Sequence, residues 1–172
     1  MTSIDICLDD KEMLFCEVEA TLRHEYNRSR NRAGRLNGPR QDSKGWEIDV
    51  AGAIGEMAVA KYLDLKHFVF AFNDKYGKYD LPPNIDVKTS LGHNRRLPIF
   101  KNEDPSKLFV FVTFAYEIIR IQGWIVGKDG MKNQFIDNPV GRGESFYVPK
   151  FALNNISLLP DYLHKKNNEL EF

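Results

Sequence analysis

Near the N-terminus, Ile4, Ile6 and Leu8 alternate with Asp5, Cys7 and Asp9, the period of a short half-buried strand or extended arm. From Asp10 the period changes. Leu14, Phe15, Val18, Leu22 and Tyr26 recur at helical spacing, and Asp9 or Asp10 suits the cap. Acids in the first turn and arginines towards the end complement the helix dipole. Asn31 to Gly45 is rich in Gly, Asn and Arg without apolar periodicity, and reads as a basic loop. A second helix is expected from about Trp46 to Leu63, with Ile48, Gly52, Gly55, Val59 and Tyr62 on one face.

Strands dominate the rest of the chain. His67 to Phe72 reads as a strand and Asn73 to Lys78 as a polar turn region. Tyr79–Leu81 and Ile85–Ser90 read as a hairpin joined by Pro82-Pro83-Asn84, a combination that favours a tight turn. Leu108 to Ala115 is apolar on both faces, as in a central strand covered on both sides. Ile118 to Val126 predicts another long strand, ended by Gly127-Lys128-Asp129-Gly130. Phe146-Tyr147-Val148 suggests an edge strand before Pro149, and Ala152 to Leu163 a short helix or turn. Helices first and strands after, with no repeat or linker, imply one α/β domain over residues 1–172 with a mixed sheet flanked by helices.

Composition excludes several classes. Of the 172 residues, 42% are hydrophobic and 28% charged, and twelve Phe, seven Tyr and two Trp give a core large side chains, against a disordered or fibrous chain. The formal net charge is zero, so global charge does not announce a nucleic-acid binder. Its distribution is uneven. Met1 to Leu22 carries six acids and one base, a local charge of −5, whereas Arg23 to Arg40 carries six arginines and one acid, a local charge of +5. Such segments mark an interaction surface or pair with each other. Cys7 and Cys16 form neither a disulfide framework nor a zinc motif, and the four histidines are scattered. Neither a secretory signal nor a run of about 18 apolar residues is visible, so a reducing cytoplasmic setting is expected.

Chemistry concentrates around Asp80 and Asp86. Alternate strand residues share a face, so Asp86 and Lys88 point one way while Ile85 and Val87 point into the core. The tight turn returns Asp80 towards Asp86. Adjacent carboxylates repel, which raises a pKa or recruits a cation, and a hard ion such as Mg²⁺ takes oxygen ligands. The Asp-x-Lys triplet by itself is weak, because the chain holds four: Asp9-Asp10-Lys11, Asp42-Ser43-Lys44, Asp64-Leu65-Lys66 and Asp86-Val87-Lys88. The last is distinguished by its apolar strand and the acid one turn upstream. The plain alternative is a solvated strand face with a minor ion pair. Glu56 lies on the second helix within Ala51-Gly52-Ala53-Ile54-Gly55-Glu56. Two glycines within a helix each cost roughly 1 kcal/mol against alanine, so close packing or function is expected there.

The order Gly-x-x-Gly-Glu on a helix, then Asp, then Ile85-Asp86-Val87-Lys88-Thr89-Ser90 resembles the PD-(D/E)XK nuclease superfamily over roughly Ile48 to Val126. It is also similar to small phage-encoded members through Gly123-Trp124-Ile125 and Val148-Pro149. The resemblance implies a restriction-endonuclease-like fold with a catalytic core at about 46–126. It implies Mg²⁺ or Mn²⁺ held by Asp80 and Asp86, with Glu56 and the Val87 carbonyl as further ligands and Lys88 as the catalytic lysine. Asp80 lies close to Asp86 in sequence and follows no proline, so Asp74 stands in reserve as the first acid. The implied substrate is DNA, gripped at its phosphates by Ser90, Arg95, Arg96 and the loop bearing Arg30, Arg32 and Arg35. A junction or flap nuclease of this kind would form a homodimer. Two other classes compete: an inactive nuclease-fold module that binds nucleic acid or protein, and a phage inhibitor that grips a host factor through its acidic first helix. In either phage case the setting is the host cytoplasm. No G-x-S-x-G elbow, Walker loop or G-x-G-x-x-G is present.

Overall fold

In the computed structural model, the described residues are 2–29, 42–66, 68, 70, 79–139 and 143–169. Strand β1 (Ile4–Ile6) leads into helix α1 (Asp10–Ser29). Asp9 is its cap: Oδ1 accepts the backbone N–H groups of Lys11 and Glu12 at 2.9 Å, and Glu12 Oε2 accepts the Asp9 N–H at 2.7 Å. This reciprocal box satisfies N–H groups that helix geometry leaves without a partner. Helix α2 spans Asp42–Tyr62, beginning earlier than the apolar pattern foretold. Residues 31–41 of the expected basic loop lie outside the described residues, as do most of the strand expected over 67–72 and the turn over 73–78.

Four strands form the main sheet in the order β1-β5-β4-β2, from β2 (Ile85–Leu91), β4 (Leu108–Ala115) and β5 (Ile118–Val126) with β1. β2 runs parallel to β4, while β5 is antiparallel to both β4 and β1, so the sheet is mixed. The β4–β5 connection is Tyr116-Glu117, both with positive φ (52° and 62°), the twist that two-residue hairpins prefer. A second sheet of order β3-β7-β6 uses β3 (Leu97–Ile99), β6 (Ile136–Asp137) and β7 (Ser145–Val148). β7 is therefore the middle strand of a small sheet, not an edge. Its neighbours are too short to show a period in sequence. The Gly127–Gly130 turn forms a single helical turn, α3, and α4 follows at Leu159–Glu169.

β4 separates two cores, which is why both of its faces are apolar. Val110 and Val112 join Ile54, Val59, Ile85, Val87 and Ile121 beneath α2. Phe109 and Phe111 join Leu97, Ile99, Ile125 and Val148 beneath the small sheet. The product is a single-domain α/β fold with four helices among the described residues. None of them is long and apolar enough to cross a membrane.

Two packing expectations change. On α1 the buried residues are Cys16, Glu19 and Ala20, while Leu14, Phe15, Val18 and Leu22 lie on the exposed face. On α2, Gly55 is indispensable to close approach, since a Cβ there would meet the Thr89 hydroxyl at 1.9 Å. A Cβ at Gly52 meets nothing within 4 Å, and Ile48 is exposed, so neither belongs to the packed face.

Candidate active site

Among the described residues β2 is the edge strand of the main sheet, and the site forms along it. The expected hairpin is reduced to one antiparallel bridge, Leu81 to Ile85. The N–H groups of Asp80 and Leu81 both donate to the Ile85 carbonyl, at 2.9 and 3.0 Å. This fold-back carries Asp80 to the strand edge, where its Oδ2 accepts the Val87 N–H at 2.8 Å. A strand residue turns its N–H and C=O to the same side, so the Val87 carbonyl also faces that edge. Asp80 and Asp86, six positions apart, are brought close enough for each carboxyl to perturb the other.

Asp86 and Lys88 do share a face, but it is not solvated. Both are buried under the small-sheet side, with the Lys88 ammonium 5.6 Å from the Phe109 ring centre. Its Nζ donates to Asp86 Oδ2 at 2.7 Å and to Glu103 Oε1 at 2.8 Å. Lys107 completes the group, 3.8 Å from Asp86 and 3.9 Å from Glu103. The plain alternative of a solvent-exposed ion pair therefore does not hold.

Glu56 approaches from the other side of β2. The contact of Gly55 with Thr89 presses α2 onto the strand, and the next side chain is buried there. Both Glu56 oxygens accept from Arg23, each at 2.7 Å, and the Arg23 Nε donates to Glu19 at 2.9 Å. The guanidinium also lies 5.3 Å from the Phe70 ring centre. Part of the acidic and basic halves of the N-terminal region thus pair with each other.

Five carboxylates (Glu19, Glu56, Asp80, Asp86 and Glu103) face three cations (Arg23, Lys88 and Lys107) across this region. Burial, then the charges of Glu56 and Asp86, raise the Asp80 carboxyl well above the ordinary range. Burial raises Glu56 too, against the opposing pull of Arg23. Burial also pushes Asp86 upward, but the Lys88 charge and hydrogen bonds from Asp80 and Lys88 bring it below its usual value. The two carboxyls are therefore driven apart, Asp80 above the ordinary range and Asp86 below it.

Among the described residues, no group of three or more His, Cys, Asp or Glu is assembled to hold a metal ion. The donor set nevertheless suits a hard divalent cation. Asp80, Asp86 and the Val87 carbonyl offer oxygen alone, and the surplus negative charge is what a cation would neutralise. Glu56 is otherwise engaged, with both oxygens on Arg23.

The remaining expected residues divide. Ser90 is half-buried at the end of β2, and Arg95 and Arg96 are exposed in the loop beyond it. Arg96 pairs with Asp137 and lies 5.3 Å from the Tyr147 ring centre. Asp74, Arg30, Arg32 and Arg35 lie outside the described residues. Sequence reasoning missed Glu103, Lys107, Arg23 and Glu19. One signal was available: a lysine on an apolar strand needs acceptors for three N–H donors, and Glu103 lies in the next polar segment, four residues before Lys107. No family model, curated protein or solved structure matches this chain.

Proposed function

We propose that this protein is a divalent-metal-dependent nuclease of the PD-(D/E)XK kind, hydrolysing DNA phosphodiester bonds with water as the nucleophile. The observation that carries the reading is the convergence of Asp80, Asp86, Lys88 and the Val87 peptide around β2, the edge strand among the described residues. Asp80, Asp86 and the Val87 carbonyl would hold Mg²⁺ or Mn²⁺, which supplies Lewis-acid neutralisation of charge growing on the phosphate. Lys88, with two N–H groups on Asp86 and Glu103, has its third to donate to an oxygen of the reacting phosphate. Glu103 and Lys107 fix the lysine's direction, a positioning role. Exposed Arg95 contacts the DNA backbone without reading sequence.

The test is cleavage of single-stranded, duplex and branched DNA with Mg²⁺, Mn²⁺ or EDTA. The wild type cuts in either metal and not in EDTA, while Asp86→Ala and Lys88→Ala do not cut. A wild type inactive on every substrate refutes the reading.

One observation favours a second reading, a binding module that retains the fold without the activity. Arg23 occupies both oxygens of Glu56, leaving Asp80 and Asp86 as two carboxylates for a metal instead of three. On that reading the wild type binds DNA in a gel-shift assay equally well with EDTA and with Mg²⁺, and cuts under neither condition.

A further inference from the structure

Helix α1 presents its core-facing residues, Cys16, Glu19, Ala20 and Arg23, to α2 and the site. Its opposite face carries Leu14, Val18 and Leu22 at four-residue intervals, exposed to 61%, 51% and 48%, while Phe15 at its margin packs on Phe70 with ring centres 5.2 Å apart. Three large apolar side chains in one stripe exceed the scattered exposure expected of a monomer's surface. Lys11 and Glu25, both exposed, lie on the same face seven residues before and after Val18.

The stripe is symmetric about Val18. At 100° per residue, Lys11, Leu14, Val18, Leu22 and Glu25 fall within an arc of about 80° centred on Val18. A two-fold axis through Val18 sets Val18 against its own copy, Leu14 against Leu22, and Lys11 against Glu25. Isologous interfaces require this self-complementarity, since every contact then occurs twice. A parallel pairing would instead place Lys11 on Lys11 and Glu25 on Glu25, which repel.

We propose that the exposed face of α1 docks on the same face of a second copy of this chain, antiparallel, with Val18 on the two-fold axis. The helix of 20 residues gives a seam about 30 Å long. Leucine and valine fill its centre, and a Lys11–Glu25 pair closes each end. Because Arg23 points the other way, the pairing leaves the Asp80–Asp86–Lys88 edge open on both copies. The inference stands apart from the proposed activity.

Sedimentation equilibrium of the full chain tests it. The wild type dimerises within the micromolar range, and Val18→Asp raises the dissociation constant by at least about ten-fold, roughly 1.4 kcal/mol. Its thermal melt at concentrations where the wild type is monomeric stays unchanged, because the side chain is exposed. Lys11→Glu and Glu25→Lys each weaken the dimer at low salt, and the double variant restores it. A wild type that remains monomeric at every concentration overturns the proposal and leaves the face to a partner of different sequence. A double swap no tighter than its single parents overturns the antiparallel register.

Discussion

Replacing Asp80 by asparagine separates the stability of the site from its chemistry. Asp80 lies against the Val87 N–H on one side and the Asp86 carboxylate on the other, and burial with the neighbouring negative charges favours its neutral form. Asparagine copies that form: its oxygen accepts from Val87, and its amide donates to Asp86. What is lost is the ability to ionise beside Asp86 and Glu56. Burial and two neighbouring negative charges raise the folded-state pKa above the unfolded value of about 4. The stability Asp80 contributes is therefore complete below about pH 4 and lost as pH rises through the folded pKa. Asp80→Asn should therefore be the more stable protein at pH 7, where the aspartate must ionise against that burial and those charges. For a chain of this length each kcal/mol so gained raises the melting temperature by about 2–4 °C. The assay is a pair of thermal melts in EDTA from pH 4 to pH 8. The two proteins coincide at the acid end and diverge as pH rises, while the variant loses DNA cleavage. Millimolar Mg²⁺ raises the wild type alone. An Asp80→Asn protein less stable than wild type at pH 7, or a gap independent of pH, would refute the reasoning.

Three further outcomes stem from the packing. Arg23→Met strands Glu56 in the interior without its bidentate partner and costs about 3–5 kcal/mol in urea unfolding, much of it regained in Arg23→Met with Glu56→Met. Gly55→Ala drives a methyl into Thr89 and destabilises by about 1–3 kcal/mol, whereas Gly52→Ala, with open space around it, stabilises by about 0.5–1 kcal/mol in the same assay. Burial and the Glu56 charge push the Cys16 thiol up to about 12, while Cys7 is exposed. At pH 8 a thiol reagent therefore labels Cys7 quickly and Cys16 only on unfolding, and rapid labelling of both would contradict the packing of α1.

Period and turn chemistry made the main elements legible. The alternation at Ile4–Ile6, the doubly apolar run of β4 and the Asp9 cap each depend on neighbours in sequence. The small sheet was not legible, because β3 and β6 span three and two residues and owe their existence to pairing with β7. The inner face of α1 was misleading for a different reason. Its contacts are made by small Cys16 and Ala20 and by charged Glu19 and Arg23, and its large apolar residues point outward. Within the site, Asp80, Asp86 and Lys88 were found because turn and strand geometry act locally. Glu103, Lys107 and Arg23 join through loops and a helix crossing that no short-range pattern encodes.

The proposed activity requires Asp80 and Asp86 together to bind a divalent ion at the edge of β2. Calorimetric titration of the metal-free full chain with Mn²⁺ tests this without reference to substrate. The expected result is a site in the wild type that is lost in Asp86→Ala and Asp80→Asn and kept in Lys88→Met. Absence of Mn²⁺ binding by the wild type, or binding that survives in both aspartate variants, would contradict it.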